Sequence, residues 1–285
     1  MPVNHYENFP VASVLLPRSL RRPVEDIYRF ARGADDIADE GDHPAAWRLD
    51  ALAGYHACLD AVEAGRGLPD AGWERLRETI AAHRLPVSLF RDLLDAFAQD
   101  VVQTRYPTYA DLEHYCRRSA NPVGRLMLHL FGRVDAANLR DADAICTSLQ
   151  LLNFCQDVAI DWKKDRIYIP QDEMRAHQVS EDQIARGIAD ARWRGLYAQQ
   201  LERARSLLAA GSGLPARLPG RMGLELRAIV AGGERIGARL AATGGDVFRH
   251  RPVLTRGDWL LILLRTLQLL PAPRANPAAL PLTSR

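Results

Sequence analysis

The chain has 285 residues, 47 % of them apolar, and its 37 basic and 35 acidic side chains leave a formal net charge of +2. That apolar share is enough to bury a sizeable core, and the near-balance of charge excludes the clustered basic excess of a nucleic-acid-binding protein. Cys58, Cys116, Cys146 and Cys155 form no C-x-x-C pair and have no accompanying histidine cluster, so neither a zinc site nor a disulfide framework is expected.

The N-terminus, MPVNHYENFP, lacks the basic segment and apolar run of a secretory signal. A first helix is expected from near Pro23, where proline is tolerated in an opening turn, to about Glu40, with Gly41 as the stop. Further helical patterns cover 44–64, 71–83, 86–103 and 108–118. The last is interrupted at Asn121-Pro122, where the missing amide donor should bend or break it, and continues from Val123 to about Phe131. Residues 141–162 form the most apolar helix candidate, and a turn through KKDRIYIP leads to Pro170. Helices are expected again over 180–210, 218–242 and 255–270. The apolar run Trp259–Leu264 stops at Arg265, far short of the ~20 residues that span a bilayer. Strand-like alternation is confined to RIYI, and no repeat of 20–50 residues occurs. The expectation is a single all-α domain over 1–270, followed by a Pro-rich disordered tail over 271–285. The location expected is cytoplasmic, without a transmembrane anchor, and peripheral contact with a membrane stays open.

Two polar columns stand out. Tyr28, Arg32, Asp35 and Asp39 are spaced 4, 3 and 4 apart and fall within an arc of roughly 60° on the first helix. Gln150, Asn153, Asp157 and Asp161 are spaced 3, 4 and 4 apart, within about 80°, on a helix whose other positions are mostly apolar. The DDIAD run alone reads equally well as a solvated face. The second column does not, because carboxylates and amides set among Leu151, Leu152, Phe154 and Val158 need water, a cation or a polar ligand inside the fold. Acid groups on two such faces suit a hard cation with oxygen ligands, of which Mg²⁺ is the type that shares its shell with phosphate. Arg32, Lys163, Lys164 and Arg166 supply positive charge for the phosphate.

These residues carry a resemblance. YRFARGADDIADEGD (28–42), YCRRSANPVG (115–124) and NFCQDVAIDWKKDRIYIP (153–170) resemble, in order and spacing, the motifs of the squalene/phytoene synthase family. The resemblance implies an isoprenoid-synthase helical bundle with a central cavity. It implies that Asp35, Asp39, Asp157 and Asp161, with Asn153, hold Mg²⁺, and that Arg32, Gln150, Asn153, Lys164 and Arg166 bind the substrate diphosphate. Tyr28 and Tyr115 join the four aspartates as catalytic groups. In this chain Gln156 stands where the family has an arginine, which implies one diphosphate-facing cation fewer. The opening ENFPVAS, the SANPVG run and NFCQD are most similar to the bacterial branch that serves hopanoid synthesis. The activity implied is conversion of presqualene diphosphate and water to hydroxysqualene, with release of pyrophosphate. A presqualene diphosphate synthase would act before it and a flavin-dependent reductase after it. No dinucleotide fingerprint follows a strand, so no NADPH site is identified. Asn121 is the expected water-positioning residue, since it sits where the family is small and apolar. The alternatives are head-to-head condensation of two farnesyl or geranylgeranyl diphosphates, and a non-catalytic helical partner protein that keeps the fold.

Overall fold

The computed structural model describes residues 16–249 and 251–268, which form thirteen α-helices. The expected 271–285 tail lies outside the described residues, as does the ENFPVAS segment. Helix starts follow local chemistry. Asp70, Asp135, Ser180 and Asp190 each accept hydrogen bonds from first-turn amides, and Thr108 with Asp111 forms a reciprocal capping box. In chain order the helices are α1 (Arg18–Asp39), α2 (Ala45–Glu63), α3 (Ala71–His83), α4 (Val87–Val102), α5 (Tyr109–Ser119), α6 (Asn121–Leu130) and α7 (Ala136–Lys163). They continue as α8 (Gln171–Ala176), α9 (Glu181–Ala185), α10 (Ala191–Gly211), α11 (Leu214–Arg217), α12 (Gly220–Ala242) and α13 (Arg256–Thr266).

The short helices α8 and α11 add to those expected, α13 ends earlier than expected, and three further boundaries differ from the sequence expectation. α1 starts at Arg18, a full turn before Pro23; burial of Leu20 and Pro23 outweighs the one hydrogen bond that the proline forgoes. α7 starts at Ala136, because the Asp135 cap precedes a polar first turn whose Asn138 is buried and hydrogen-bonded to the Arg133 carbonyl at 3.0 Å. The stretch 180–210 is two helices, parted by Gly187 at φ +62° and restarted by the Asp190 cap. The break at Ala120 falls where Pro122 requires it, with Pro122 in the first turn of α6. The RIYI run contributes a single parallel bridge, Ile167 with Arg105. Arg105 also pairs with Asp165 at 2.9 Å and Glu181 at 2.8 Å, which pins the turn after α7.

The helices gather around two cores. Leu20, Phe30, Leu52, Leu59, Phe90, Leu94 and Leu126 belong to one, built by α1 to α4 with α6. Leu112, Ile145, Leu152, Trp193, Leu196, Tyr197 and Leu208 belong to the other, built chiefly by α5, α7, α10 and α12. Truncating a fully sealed member such as Leu94 to Ala costs about 2–5 kcal/mol. α7 is the spine of the second group and lies along α10. Its approach to α6 is close enough that a Cβ at Gly124 would stand 2.6 Å from Cys146 Sγ. Between the two cores runs a seam, and the seam is hollow.

Candidate active site

The hollow has a volume of about 610 Å³. α1 forms one wall with Val24, Ile27, Tyr28, Ala31, Arg32, Asp35 and Asp39. At 1.5 Å per residue that wall changes from hydrocarbon at Val24 to carboxylate at Asp39 over about 22 Å. α7 forms another wall with Gln150, Asn153, Phe154, Asp157 and Asp161, followed by Lys164, Arg166 and Tyr168. Phe97, Met127 and Ile229 add apolar surface, and Tyr115 and Asp100 complete the part described here. Of the residues singled out for the site from the sequence, Tyr28, Arg32, Asp35, Asp39, Tyr115, Gln150, Asn153, Asp157, Asp161, Lys164 and Arg166 border this cavity, and Lys163 does not.

The charged ends of α1 and α7 meet. Asp39 accepts from Arg166 at 2.6 and 3.0 Å and from Lys164 at 3.0 Å. Burial disfavours the Asp39 charge, but these cations hold its carboxyl below the usual range. Arg166 also donates to the Asp100 carbonyl at 3.1 Å. Arg32 pairs with Asp35 at 3.2 Å and Asp36 at 2.7 Å on its own helix.

In two acids the nearby cations do not offset burial. Burial, then the neighbouring negative charge of Asp39, pushes the Asp35 carboxyl up to about 6. Burial and Asp157 push Asp161 up to about 7. Crowded carboxylates of this kind are relieved by a cation. Among the described residues no three His, Cys, Asp or Glu side chains converge into a group that could hold a metal ion. Carboxylates brought to one cavity from α1 and α7 are a donor set that fits Mg²⁺, an ion that completes its shell with water and phosphate oxygens.

The structure adds residues that the sequence did not reveal. Tyr115 Oη donates to Asp100 Oδ2 at 2.8 Å, while Asp100 Oδ1 is buried without a hydrogen-bond partner. Burial pushes Asp100 up to about 7 against the pull of that hydrogen bond. Tyr168 stacks on Phe154 at 3.8 Å and 5°, giving the cavity an aromatic wall continued by Tyr115. Arg251 grips both oxygens of Asp157, with Nη2 3.1 Å from Oδ2. One of three aspartates in an amphipathic helix and an arginine 94 residues from its partner leave no local signal.

Two expectations are corrected. Gln156 is 1 % exposed and does not border the cavity; its amide donates to the Pro252 carbonyl. Asn121 is also outside the lining. It is buried between α6 and α7, where it accepts from Thr147 Oγ1 at 2.9 Å, so it positions no water in the cavity.

Comparison with known proteins agrees with this architecture. The squalene/phytoene synthase family matches the chain over residues 3–258. The hydroxysqualene synthase of Rhodopseudomonas palustris is 34 % identical over 232 residues, 81 % of this chain and 78 % of that protein. That of Zymomonas mobilis is 36 % identical over 228 residues, 78 % of this chain and 75 % of that protein. The crystal structure of squalene synthase HpnC from Alicyclobacillus acidocaldarius superposes with a TM-score of 0.79 at 37 % identity, covering 84 % of this chain and 90 % of that one. With its all-α isoprenoid-synthase fold and both aspartate columns turned into one cavity, the chain belongs to the squalene/phytoene synthase family.

Proposed function

We propose that the protein converts presqualene diphosphate and water to hydroxysqualene, with release of pyrophosphate. The observation that carries this reading is a single cavity whose α1 wall passes from hydrocarbon to carboxylate and whose acid end is tied to Lys164 and Arg166. A diphosphate ester of a long hydrocarbon has that same division. The hydroxysqualene synthases among the relatives support this choice of reaction.

The residues divide the work by position. Asp35, Asp39, Asp157 and Asp161, with Asn153, would hold Mg²⁺. When bound, the ion supplies Lewis-acid charge to the leaving diphosphate. Lys164, Arg166 and Arg32 stabilise negative charge that develops on the leaving oxygen, and Gln150 offers an amide to the same group. The carbon–oxygen bond breaks with its electron pair on pyrophosphate. The cyclopropylcarbinyl cation left behind faces Tyr28, Tyr115, Phe154 and Tyr168, whose ring faces attract it by up to ~2 kcal/mol in a desolvated site. Capture by water forms the new carbon–oxygen bond and releases one proton. A presqualene diphosphate synthase before this step and a flavin-dependent reductase after it are the partner activities this reading requires.

Incubation with presqualene diphosphate and Mg²⁺ tests the proposal through pyrophosphate and the extracted alcohol. Hydroxysqualene as the main product is the expected result. A hydrocarbon product, or no pyrophosphate, would overturn it. The rival reaction, head-to-head condensation, is favoured by the name of the squalene synthase neighbour. It predicts turnover of farnesyl diphosphate with Mg²⁺ alone, which the present reading does not.

A further inference from the structure

The reaction proposed above ends when water captures a carbocation, and that water needs a holder in a wall made of rings and hydrocarbon. Asn121 is turned away from the cavity and cannot serve. α5 and α6 line the cavity with Tyr115, Ser119, Val123 and Met127, a row at successive steps of four. The first member is engaged, because the Tyr115 hydroxyl donates to Asp100 at 2.8 Å. Val123 and Met127 are apolar. Ser119 is the member of this row with a hydroxyl that no other described side chain or carbonyl holds.

Ser119 Oγ is buried and makes no hydrogen bond among the described residues. Other hydroxyls near helix ends turn back to the backbone. Ser212 and Thr243 donate to the carbonyl three residues earlier, both at 2.7 Å, and Thr266 to the carbonyl four earlier at 2.8 Å. The buried hydroxyls of α7 are bonded too, Ser148 to the Ala204 carbonyl at 2.6 Å and Thr147 to Asn121 at 2.9 Å. A sealed hydroxyl without a partner is costly to keep. Because Ser119 borders the cavity, a small polar molecule inside it can supply the missing bond. The hydroxyl has two acceptor lone pairs, so a water can donate to it and keep a lone pair of its own aimed elsewhere.

We propose that Ser119 holds the water that captures the cation and so decides for alcohol over hydrocarbon; the inference rests on the reaction proposed above. Steps of four along α5 are about 6 Å apart at 1.5 Å per residue. A cation resting on the Tyr115 ring is then within reach of a water on Ser119. A hydrogen bond of about 2.8 Å and a reactive approach of about 3 Å together span that step. The water donates one hydrogen to Oγ and turns its lone pair to the cationic carbon. That lone pair forms the carbon–oxygen bond, and the resulting oxonium gives its extra proton to pyrophosphate, the base that the same reaction releases. Ser119 itself gains and loses no covalent bond. Without the held water, the cation loses a proton from carbon to the same base and leaves as a hydrocarbon.

The test incubates the full chain with presqualene diphosphate and Mg²⁺ and measures pyrophosphate and extracted products together. In Ser119→Ala, pyrophosphate release should stay within about twofold of wild type. The ratio of alcohol to hydrocarbon should fall about tenfold, the effect of losing one hydrogen bond to the water. Ser119→Thr, which keeps the hydroxyl, should retain the alcohol as main product. The thermal midpoint of Ser119→Ala should not fall, since the hydroxyl it loses has no partner in the described protein. An unchanged product ratio in Ser119→Ala overturns the proposal, and so does an equal loss of alcohol in Ser119→Thr. Parallel losses of pyrophosphate and alcohol also overturn it, by placing Ser119 in ionisation or in the fold. Loss of alcohol in Glu225→Gln but not in Ser119→Ala would move the water to Glu225, the cavity acid of α12. A wild type that forms no alcohol defeats the reaction itself and this inference with it.

Discussion

Arg166 reaches back 127 residues to hold both oxygens of Asp39, at 2.6 and 3.0 Å, so the end of α1 and the turn after α7 are fastened at the charged end of the cavity. Arg166→Ala should slow pyrophosphate release about 10²-fold, the usual loss when a charge-stabilising donor is removed. It should also lower stability by about 1–3 kcal/mol. A fully sealed pair would lose more, but the Asp39 side chain is still 20 % exposed. Denaturant titration and a pyrophosphate assay check the two effects separately. Wild-type values in both would show the pairing to be idle.

Asp35 makes stability depend on pH in the metal-free protein. Its folded carboxyl sits up at about 6, above the ordinary carboxylate value, so the folded state keeps the proton longer than the unfolded chain. The associated stability is fully present below about pH 4 and is lost as pH rises through 6. In a chelator buffer, Asp35→Asn should therefore raise the melting temperature by roughly 1–3 °C at pH 8 and leave it unchanged at pH 4. An equal shift at both pH values would refute the charge argument.

Tyr115→Phe removes the donor on Asp100 Oδ2 and leaves neither oxygen of that buried acid with a partner. The expected loss is about 1–3 kcal/mol. The hydroxyl favours the charged carboxylate, so without it Asp100 moves still further above about 7. The loss should therefore be larger at pH 8 than at pH 5. Urea midpoints at the two pH values decide this.

Gln156→Arg tests whether this position contributes to the site. The side chain is 1 % exposed and holds the Pro252 carbonyl, so a guanidinium there should destabilise the fold by about 1–3 kcal/mol and bring no gain in turnover. An increase in pyrophosphate release would show that the position faces the substrate after all.

Much of the site was legible because helical spacing writes a cavity face as a row. Asp35 and Asp39, like Asp157 and Asp161, are four apart, and each pair points into one hollow. The same rule explains the misreading at Gln156. It precedes Asp157 by one residue, hence stands about 100° round the helix from the cavity row, whatever a linear motif suggests. Asn121 follows the Ala120 break, and its direction depends on how α6 resumes, which spacing does not encode. Arg251 and Asp100 are brought to the site by tertiary packing, and neither stands in a column of its own. The early start of α1 was masked by Pro23, whose burial is a property of the assembled helices.

A hollow placed on the boundary between two separately packed bodies has room to evolve. Side chains such as Ile27, Phe97 and Ile229 touch the void on one flank, so exchanging them for larger or smaller ones reshapes the chamber while most of each body stays intact. Diversification of hydrocarbon length and product then requires only re-upholstery of the boundary. The acid and basic groups at its far end can stay where they are.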